Sequence, residues 1–312
     1  MAKKIQRALV TGGAGFIGSH IVDALIQRRI KTFVVDDLST GSQKNVNPNA
    51  QFFKMDITSP LLPKLIEKIK PDVIFHLAAQ IDVRHSVKDP LNDAKINLLG
   101  SLALAEAAVK YGVKKIIFSS SGGAMYSDSI RPPYSEKTVE QPLSPYAISK
   151  RATEMYLNFE HAVRGLHCVV LRYANVYGPR QRSDGEAGVV AIFTERMLAG
   201  RPITINGAGT QSRDFVFVED IVRANMLALT KNVHGIFNLG TGKEVNINQI
   251  FRKLKKITNS DLPERHGPPG PGEVFRSALD SRKAAKELAW RPQVRIDDGL
   301  QKTVEWFKQK GR

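Results

Sequence analysis

"RALVTGGAGFIGSH", residues 7–20, decides the fold. A short apolar run ends in glycines, and a helical pattern, "IGSHIVDALIQRR", follows at once. Gly12, Gly15 and Gly18 give the spacing G-x-x-G-x-x-G. Glycine permits the tight turn, the close approach of a pyrophosphate, and tight packing of helix on strand. The N-terminus of that helix offers unpaired N–H groups and the positive end of its dipole. Glycine turns are common, so context has to support the motif. "VVDD", residues 34–37, ends the next β-rich run about 20 residues on, as a dinucleotide fold requires. Asp36 stands where a carboxylate accepts both hydroxyls of a ribose. A carboxylate there repels a 2′-phosphate, and no Arg or Lys follows at once, so NAD is favoured over NADP.

Outward from this stretch the pattern repeats. β-rich runs "KTFVVDD", "AQFFKMDI", "PDVIFHLAA", "KKIIFSSS" and "HCVVLRYANVYG" alternate with helical patterns at "LLPKLIEKI", from about Asp89 to Tyr111, and from Tyr146 onward. Such alternation means βαβ units and a parallel sheet. Right-handed crossovers make it a Rossmann-type doubly wound α/β fold. After "YGPRQ" the texture changes. "GVVAIFTERMLAGRPITINGAG" reads as helix then strand, "RDFVFVEDIVRANMLAL" as strand then helix, and "FNLGTG" as a strand ending in glycines. "INQIFRKLKKIT" is an amphipathic helix, "GPPGPGE" a loop, and "GLQKTVEWFKQ" a last helix. The expected organisation is an NAD-binding domain over 1–175, with a return segment near 214–240. A smaller, interleaved C-terminal α/β substrate domain covers 176–312.

The 312 residues suit that size, and 42% hydrophobic content supports a sizeable core. The net charge of +16 admits a polyanion partner. Its basic residues are scattered, and no RNA-binding aromatic signature accompanies them, so nucleic acid is not the expected partner. The one cysteine, Cys168, cannot form an internal disulfide and reads as a buried thiol. No run approaches the roughly 20 apolar residues of a membrane span. The N-terminus does not read as a signal peptide. A cytoplasmic location is expected, with no membrane partner and no metal site.

"SPYAISK", residues 144–150, places Tyr146 and Lys150 four apart. The spacing alone is weak, because Tyr111 and Lys115 repeat it. Tyr111, however, ends a helix at Gly112, and Lys115 falls in the next strand. Ser144 suits an N-cap and Pro145 the first helical position, so Tyr146 and Lys150 share one helix face. A nearby ammonium favours phenolate and is expected to lower the tyrosine pKa. A tyrosine so tuned takes a proton from an alcohol. "FSSSGGA", residues 118–124, puts three serines at the C-terminal end of a strand, where one can hold the same oxygen. His76, in an apolar run, reads as structural. Asp56 suits either an adenine amino group or an N-cap.

These residues resemble the extended short-chain dehydrogenase/reductase superfamily, and within it the nucleotide-sugar 4-epimerases typified by UDP-glucose (UDP-galactose) 4-epimerase. "TGGAGFIGSH", "VVDDLSTG", "HLAAQIDVRHSV", "FSSSGGAMY", "SPYAISK", "LRYANVYGPRQ", "RDFVFVEDIVRA" and "FNLGTG" come in the family's order over nearly the whole chain. The resemblance implies bound NAD, a UDP-sugar substrate and a homodimer built on helices near 93–111 and 146–162. It implies 4-epimerisation of UDP-glucose/UDP-galactose through a transient 4-keto sugar, with UDP-GlcNAc/UDP-GalNAc as further substrates. Tyr146 would be the base, Lys150 its tuning cation and Ser121 a partner of the sugar hydroxyl. NAD contacts are implied at Gly12, Gly15, Phe16, Ile17 and Gly18; at Asp36, Asp37, Leu38, Ser39, Thr40 and Gly41; and at Asp56 and Ile57. They continue at Leu77, Ala78, Ala79 and Gln80, then at Asn97, Ser119, Tyr146, Lys150 and Tyr173. Substrate contacts are implied at Ser121, Tyr146, Asn175, Arg213, Arg276 and Ser277.

The chain departs from its relatives in places. Ser127 follows Tyr126 where they carry glycine. Gly270 replaces a phosphate-binding arginine: either that contact is lost or Arg276 takes it over. Ser277, at the gate beside the sugar, is small enough for an N-acetyl group. Gly122 and Gly123 follow Ser121 where dehydratases carry an acid pair and decarboxylases a carboxylate, which disfavours both. A uronate 4-epimerase stays open, as does a non-catalytic NAD- or RNA-binding protein on the same fold.

Overall fold

The computed structural model describes residues 5–127, 129–184, 188–269 and 275–310. In the first half, strands β1 (Arg7–Thr11), β2 (Lys31–Asp36), β3 (Gln51–Lys54), β4 (Val73–His76), β5 (Lys115–Ser121) and β6 (His167–Tyr173) follow one another. Between them run helices α1 (Phe16–Gln27), α2 (Leu62–Ile69), α3 (Val83–Lys88), α4 (Pro90–Asp93), α5 (Ser101–Lys110) and α6 (Pro145–Arg164). A π-helical stretch, Ala94–Gly100, joins α4 to α5, so helix covers nearly all of the expected 89–111. The second half begins with β7 (Asn175–Tyr177), α7 (Val189–Leu198), β8 (Thr204–Asn206), β9 (Ser212–Arg213), β10 (Phe215–Phe217) and α8 (Val218–Thr230). It continues through β11 (Gly235–Leu239), β12 (Val245–Asn246), α9 (Ile247–Thr258), β13 (Arg265–Gly267), β14 (Arg276–Ser277) and α10 (Ile296–Lys310). The last helix thus starts three residues before "GLQKTVEWFKQ".

Seven strands form one parallel sheet in the order β11-β6-β5-β4-β1-β2-β3. This is the doubly wound α/β fold that the alternation predicts. Strand order reverses between β1 and β4, and ligands of such sheets bind outside the carboxyl ends at that point. Alternate residues of each strand feed opposite cores. Ala8, Val10, Ile117, Val169 and Leu171 pack with the buried face of α1 and α8. Leu9, Ile116, Phe118, Cys168 and Val170 pack with α2 and α5 on the other side. A third core joins α7, α9, α10 and β10 in the second half.

"HCVVLRYANVYG" reads as one strand, but the structure breaks it at Ala174. β6 stays in the large sheet, while β7 turns away to pair with β10. "RDFVFV" breaks likewise at Asp214. The cause is the Asp214 carboxylate, nearly fully buried, which accepts from the backbone N–H of Thr241 (2.8 Å), Gly242 (2.9 Å) and Leu279 (3.2 Å). A buried acid that collects three N–H groups fixes a turn where the apolar pattern alone reads continuous strand. Among the described residues no helix is long and apolar enough to cross a membrane.

Candidate active site

The glycine turn is held at van der Waals limits. A Cβ on Gly12, whose φ is +70°, would lie 2.7 Å from the backbone nitrogen of Ala78. One on Gly18 would overlap the carbonyl oxygen of Gly12. α1 therefore starts directly against β1 and β4. Gly15 is its N-cap, and no side chain caps the first turn. The first-turn N–H groups open on a cleft of about 470 Å³. At the far wall Asp36 accepts from the backbone N–H of Ala14 and Leu38, both at 2.9 Å. Burial raises its pKa, and these two N–H groups pull it back down. An uncapped helix start, a turn with no room for a side chain and a carboxylate held by backbone match a diphosphate and a ribose diol. The residues present therefore fit NAD.

Gly12, Gly15, Phe16, Ile17 and Gly18 line this cleft, as do Asp36, Asp37, Ser39, Thr40, Asp56 and Ile57. So do Leu77, Ala78, Ala79, Gln80, Ser119, Tyr146, Lys150 and Tyr173. Three further residues expected at the cofactor adjoin these. Gly41 packs under Asp36 and Ala14. Leu38 gives its N–H to Asp36. Asn97 is buried and bonds both the N–H and the C=O of Gln80, so it shapes the wall from outside. Asp56 lines the cleft and accepts from the N–H of Thr58 at 2.7 Å in a local turn; it is not an N-cap, since the next helix begins at Leu62 after Leu61. His76 is structural, bridging Thr11 Oγ1 (2.7 Å) and Ser101 Oγ (2.9 Å). Burial pushes its pKa to about 3, and Lys150 adds to this, so it stays neutral.

α6 begins as the sequence predicts. Ser144 accepts from the N–H of Ala147 at 3.2 Å, and Pro145 is the first residue. Tyr146 and Lys150 face the cleft together. Lys150 Nζ donates to the carbonyl of Ser119 at 3.1 Å and lies 4.7 Å from the Phe118 ring centroid and 6.0 Å from that of Tyr146. Tyr111, by contrast, ends α5, and Lys115 Nζ caps α8 through the carbonyls of Ala228 and Lys231.

The expected lowering of the Tyr146 pKa is reversed in the protein alone. Burial pushes the phenol up to about 12; a hydrogen bond with Ser121 lowers it, and the charge of Asp93 raises it. Burial also brings Lys150 down to about 8, against the pull of Asp93 and Glu154. A positive charge brought close to Tyr146 would lower the phenol's pKa.

The residues expected at the substrate lie on the broken strands and their neighbours. Asn175 starts β7, and the Cβ position of Gly123 lies 3.8 Å from its Oδ1 and 3.9 Å from Ser277 Oγ. Arg213 and Arg276 lie on paired strands β9 and β14. Arg276 is bonded to both carboxylate oxygens of Glu244, Nε to Oε1 at 2.9 Å and Nη2 to Oε2 at 2.5 Å. Gly270 lies outside the described residues. Sequence reasoning passed over Met55, Ile81, Asp82, Asn92, Ile96 and Ser120, which also line the cleft. Their only signal was proximity to quoted motifs. Among the described residues no cluster of His, Cys, Asp or Glu is arranged to hold a metal.

The model of the NAD dependent epimerase/dehydratase family matches residues 8–240. The chain belongs to this family. A UDP-glucose 4-epimerase of Mycolicibacterium smegmatis is 45% identical over 314 residues, covering 98% of this chain and 100% of that protein. The solved UDP-glucose 4-epimerase of Thermotoga maritima, with UDP-glucose, is 49% identical at a TM-score of 0.97, over 98% of this chain and 100% of that one. A UDP-N-acetylglucosamine 4-epimerase from Methanobrevibacter ruminantium M1 is 37% identical at a TM-score of 0.93, over 99% and 100%. Members of the epimerase/dehydratase family with different sugar nucleotides thus share this fold end to end.

Proposed function

We propose that the chain is an NAD-dependent isomerase that interconverts UDP-glucose and UDP-galactose at carbon 4. The observation that carries this reading is the meeting of Tyr146 and Ser121 beside the glycine turn, with Lys150 on the next turn of the same helix. Bound NAD would supply the hydride acceptor and donor for carbon 4 of the sugar, whose ring must present its other face before the hydride returns. Ser121 orients the 4-oxygen and Tyr146 moves its proton. Lys150 holds a positive charge beneath the phenol while its ammonium is fixed by the Ser119 carbonyl. Asp36 anchors the adenosine ribose, and the first turn of α1 holds the diphosphate. Arg213, Arg276 and Asn175 take the substrate's diphosphate, for which a guanidinium fork is suited. The purified chain, supplied with NAD, is expected to convert UDP-galactose to UDP-glucose, read by a coupled UDP-glucose dehydrogenase. No conversion with NAD present would reject the reading.

A second substrate pair is favoured by one residue. Ser277 is small, nearly buried and adjacent to Gly123. That leaves room for an N-acetyl group, so UDP-GlcNAc and UDP-GalNAc join the proposed substrates. Cys168 is buried in β6, and burial raises its thiol pKa to about 12, so it is inert and suits a reducing cytoplasm.

The proposed assembly is a homodimer. α6 carries an exposed stripe of Ile148, Met155, Tyr156, Phe159 and Val163, and Leu91 and Leu99 lie exposed on the preceding helical segment. The stripe runs opposite the buried Lys150, Thr153, Glu154 and Leu157. A continuous apolar face of this kind suits a second copy laid against it. Phe159→Glu is expected to halve the mass measured by sedimentation; a wild type that already sediments as a monomer overturns the assembly.

A further inference from the structure

Beneath the site runs a polar row that the reaction chemistry does not use. Ser120, Arg172 and Asn238 are neighbours in register across β5, β6 and β11. Arg172 is fully buried in the middle of an otherwise apolar strand. Four of its five N–H groups are engaged. Nε donates to Glu154 Oε1 at 2.9 Å and Nη2 to Glu154 Oε2 at 2.5 Å. Nη2 also reaches Glu140 Oε1 at 2.8 Å, and Nη1 reaches the Tyr126 hydroxyl at 2.8 Å. Ser120 Oγ donates to Glu154 Oε1 at 2.6 Å. Arg151 lies 3.6 Å from each of the two carboxylates and balances the charge.

These partners come from two pieces of chain. Glu154 lies on the face of α6 that carries Tyr146 and Lys150, one and two turns further on. Tyr126 and Glu140 belong to the connection between β5 and α6. That connection begins at Gly122 and Gly123, which touch the substrate side: a Cβ on Gly122 would collide with Leu279, and one on Gly123 would face Asn175 and Ser277. Asn238 reinforces the same piece, with Nδ2 donating to the Tyr134 carbonyl at 3.0 Å and its N–H to Glu136 at 2.8 Å.

We propose that Arg172 is a positioning residue that pins the catalytic helix and the 122–144 connection to one point of the sheet, and that Glu140 is its releasable end, setting how firmly the sugar pocket is held. Glu154 is buried with Arg172, whereas Glu140 keeps 22% of its side chain exposed, so the connection is the end that opens. Freed from Arg172, the Gly122–Gly123 turn loses its fixed distance to Asn175 and Ser277, which weakens sugar binding more than it alters the chemistry at Tyr146.

The inference rests on the 4-epimerase reading, and the test separates the two. Glu140→Gln in the full chain keeps the shape but removes the charge. KM for UDP-galactose is expected to rise about five- to tenfold with kcat within about twofold, the size of a partly exposed charge-assisted bond. Amide hydrogen exchange over 129–141 is expected to quicken while that of β1 and α1 stays unchanged. Partial unfolding would instead lower apparent kcat at fixed KM. Tyr126→Phe, which removes the bonds of that hydroxyl to Arg172, to Asn238 and to the Ser135 carbonyl, is the second variant and should quicken the same amides. If the wild type does not turn over UDP-galactose, the functional reading falls, and the exchange data alone decide the latch. Unchanged exchange over 129–141 in both variants, or an unchanged KM in a turning-over enzyme, overturns it.

Discussion

Tyr146→Phe is expected to lower kcat for UDP-galactose by about 10²–10⁴-fold, the usual worth of a positioned acid–base group. KM and NAD affinity should stay within a few-fold. The substitution removes one oxygen and leaves the ring in place, so the wall shared by Lys150 and Phe118 is preserved. What disappears is the phenol that meets Ser121 at the sugar oxygen. The environment makes this group worth more than an exposed tyrosine. Its pKa of about 12 in the protein alone keeps it protonated at neutral pH. Positive charge arriving beside it would lower that value, so filling the cofactor cleft is expected to bring the phenol's pKa closer to neutrality. Direct titration checks the same point: the phenolate absorbance of Tyr146, obtained as wild type minus Tyr146→Phe, should emerge at lower pH with NAD than without. A kcat loss below tenfold would remove Tyr146 from the chemistry and leave Ser121 or a water as the proton carrier.

The parts that were legible from residues 7–20 outward are those where local chemistry and global topology agree. Three glycines, an acid at the next strand end and a capped Tyr/Lys helix each do locally what the fold needs globally. Position 174 was not legible. Nothing in "LRYANVYG" says that β6 stops after Tyr173, because the partners on either side of the break come from far along the chain: the N–H of Ala174 goes to the carbonyl of Leu239 and that of Asn175 to the carbonyl of Asp214. Asn97 shows a second limit. Its sequence context does not reveal that its amide bonds Gln80 and Asp93. The sign of the Tyr146 shift shows a third. Spacing reveals a neighbouring ammonium, while desolvation depends on everything packed around the ring. Arg172 did leave a trace, a charge inside the apolar run "CVVLRY". Only its in-register neighbours and Glu154 reveal why it is tolerated there. Pairing with Glu154 and Glu140 offsets the desolvation of a buried arginine, whereas the same arginine unpaired would be strongly destabilising in a core.

The second large effect is expected at Gly18. A methyl group there would overlap the carbonyl oxygen of Gly12 and approach to 2.9 Å the Gly12 carbonyl carbon and the Gly13 Cα. All three are backbone atoms of the turn itself, so no side chain can swing aside. Either α1 lifts from β1 or the turn opens, and both outcomes move the first-turn N–H groups away from a diphosphate. Overpacking of this kind costs about 1–3 kcal/mol of stability. The loss in NAD affinity should be larger than that of the fold, because several N–H donors lose their aim together. Gly18→Ala is therefore expected to weaken NAD binding by about a hundredfold, near 3 kcal/mol, measured by calorimetric titration of NAD into stripped protein. Alanine at Gly112, φ +71° with nothing within 4 Å of the added Cβ, is the control. It carries the strain of a left-handed position without touching the cleft, so it should lower Tm but leave NAD affinity intact. If the two variants weakened NAD equally, the loss would belong to general destabilisation, and the tight contact between Gly18 and Gly12 would have no special claim on the diphosphate. A selective loss at Gly18 ties cofactor affinity to the closeness of α1 and β1, which is the physical content of the motif at residues 12–18.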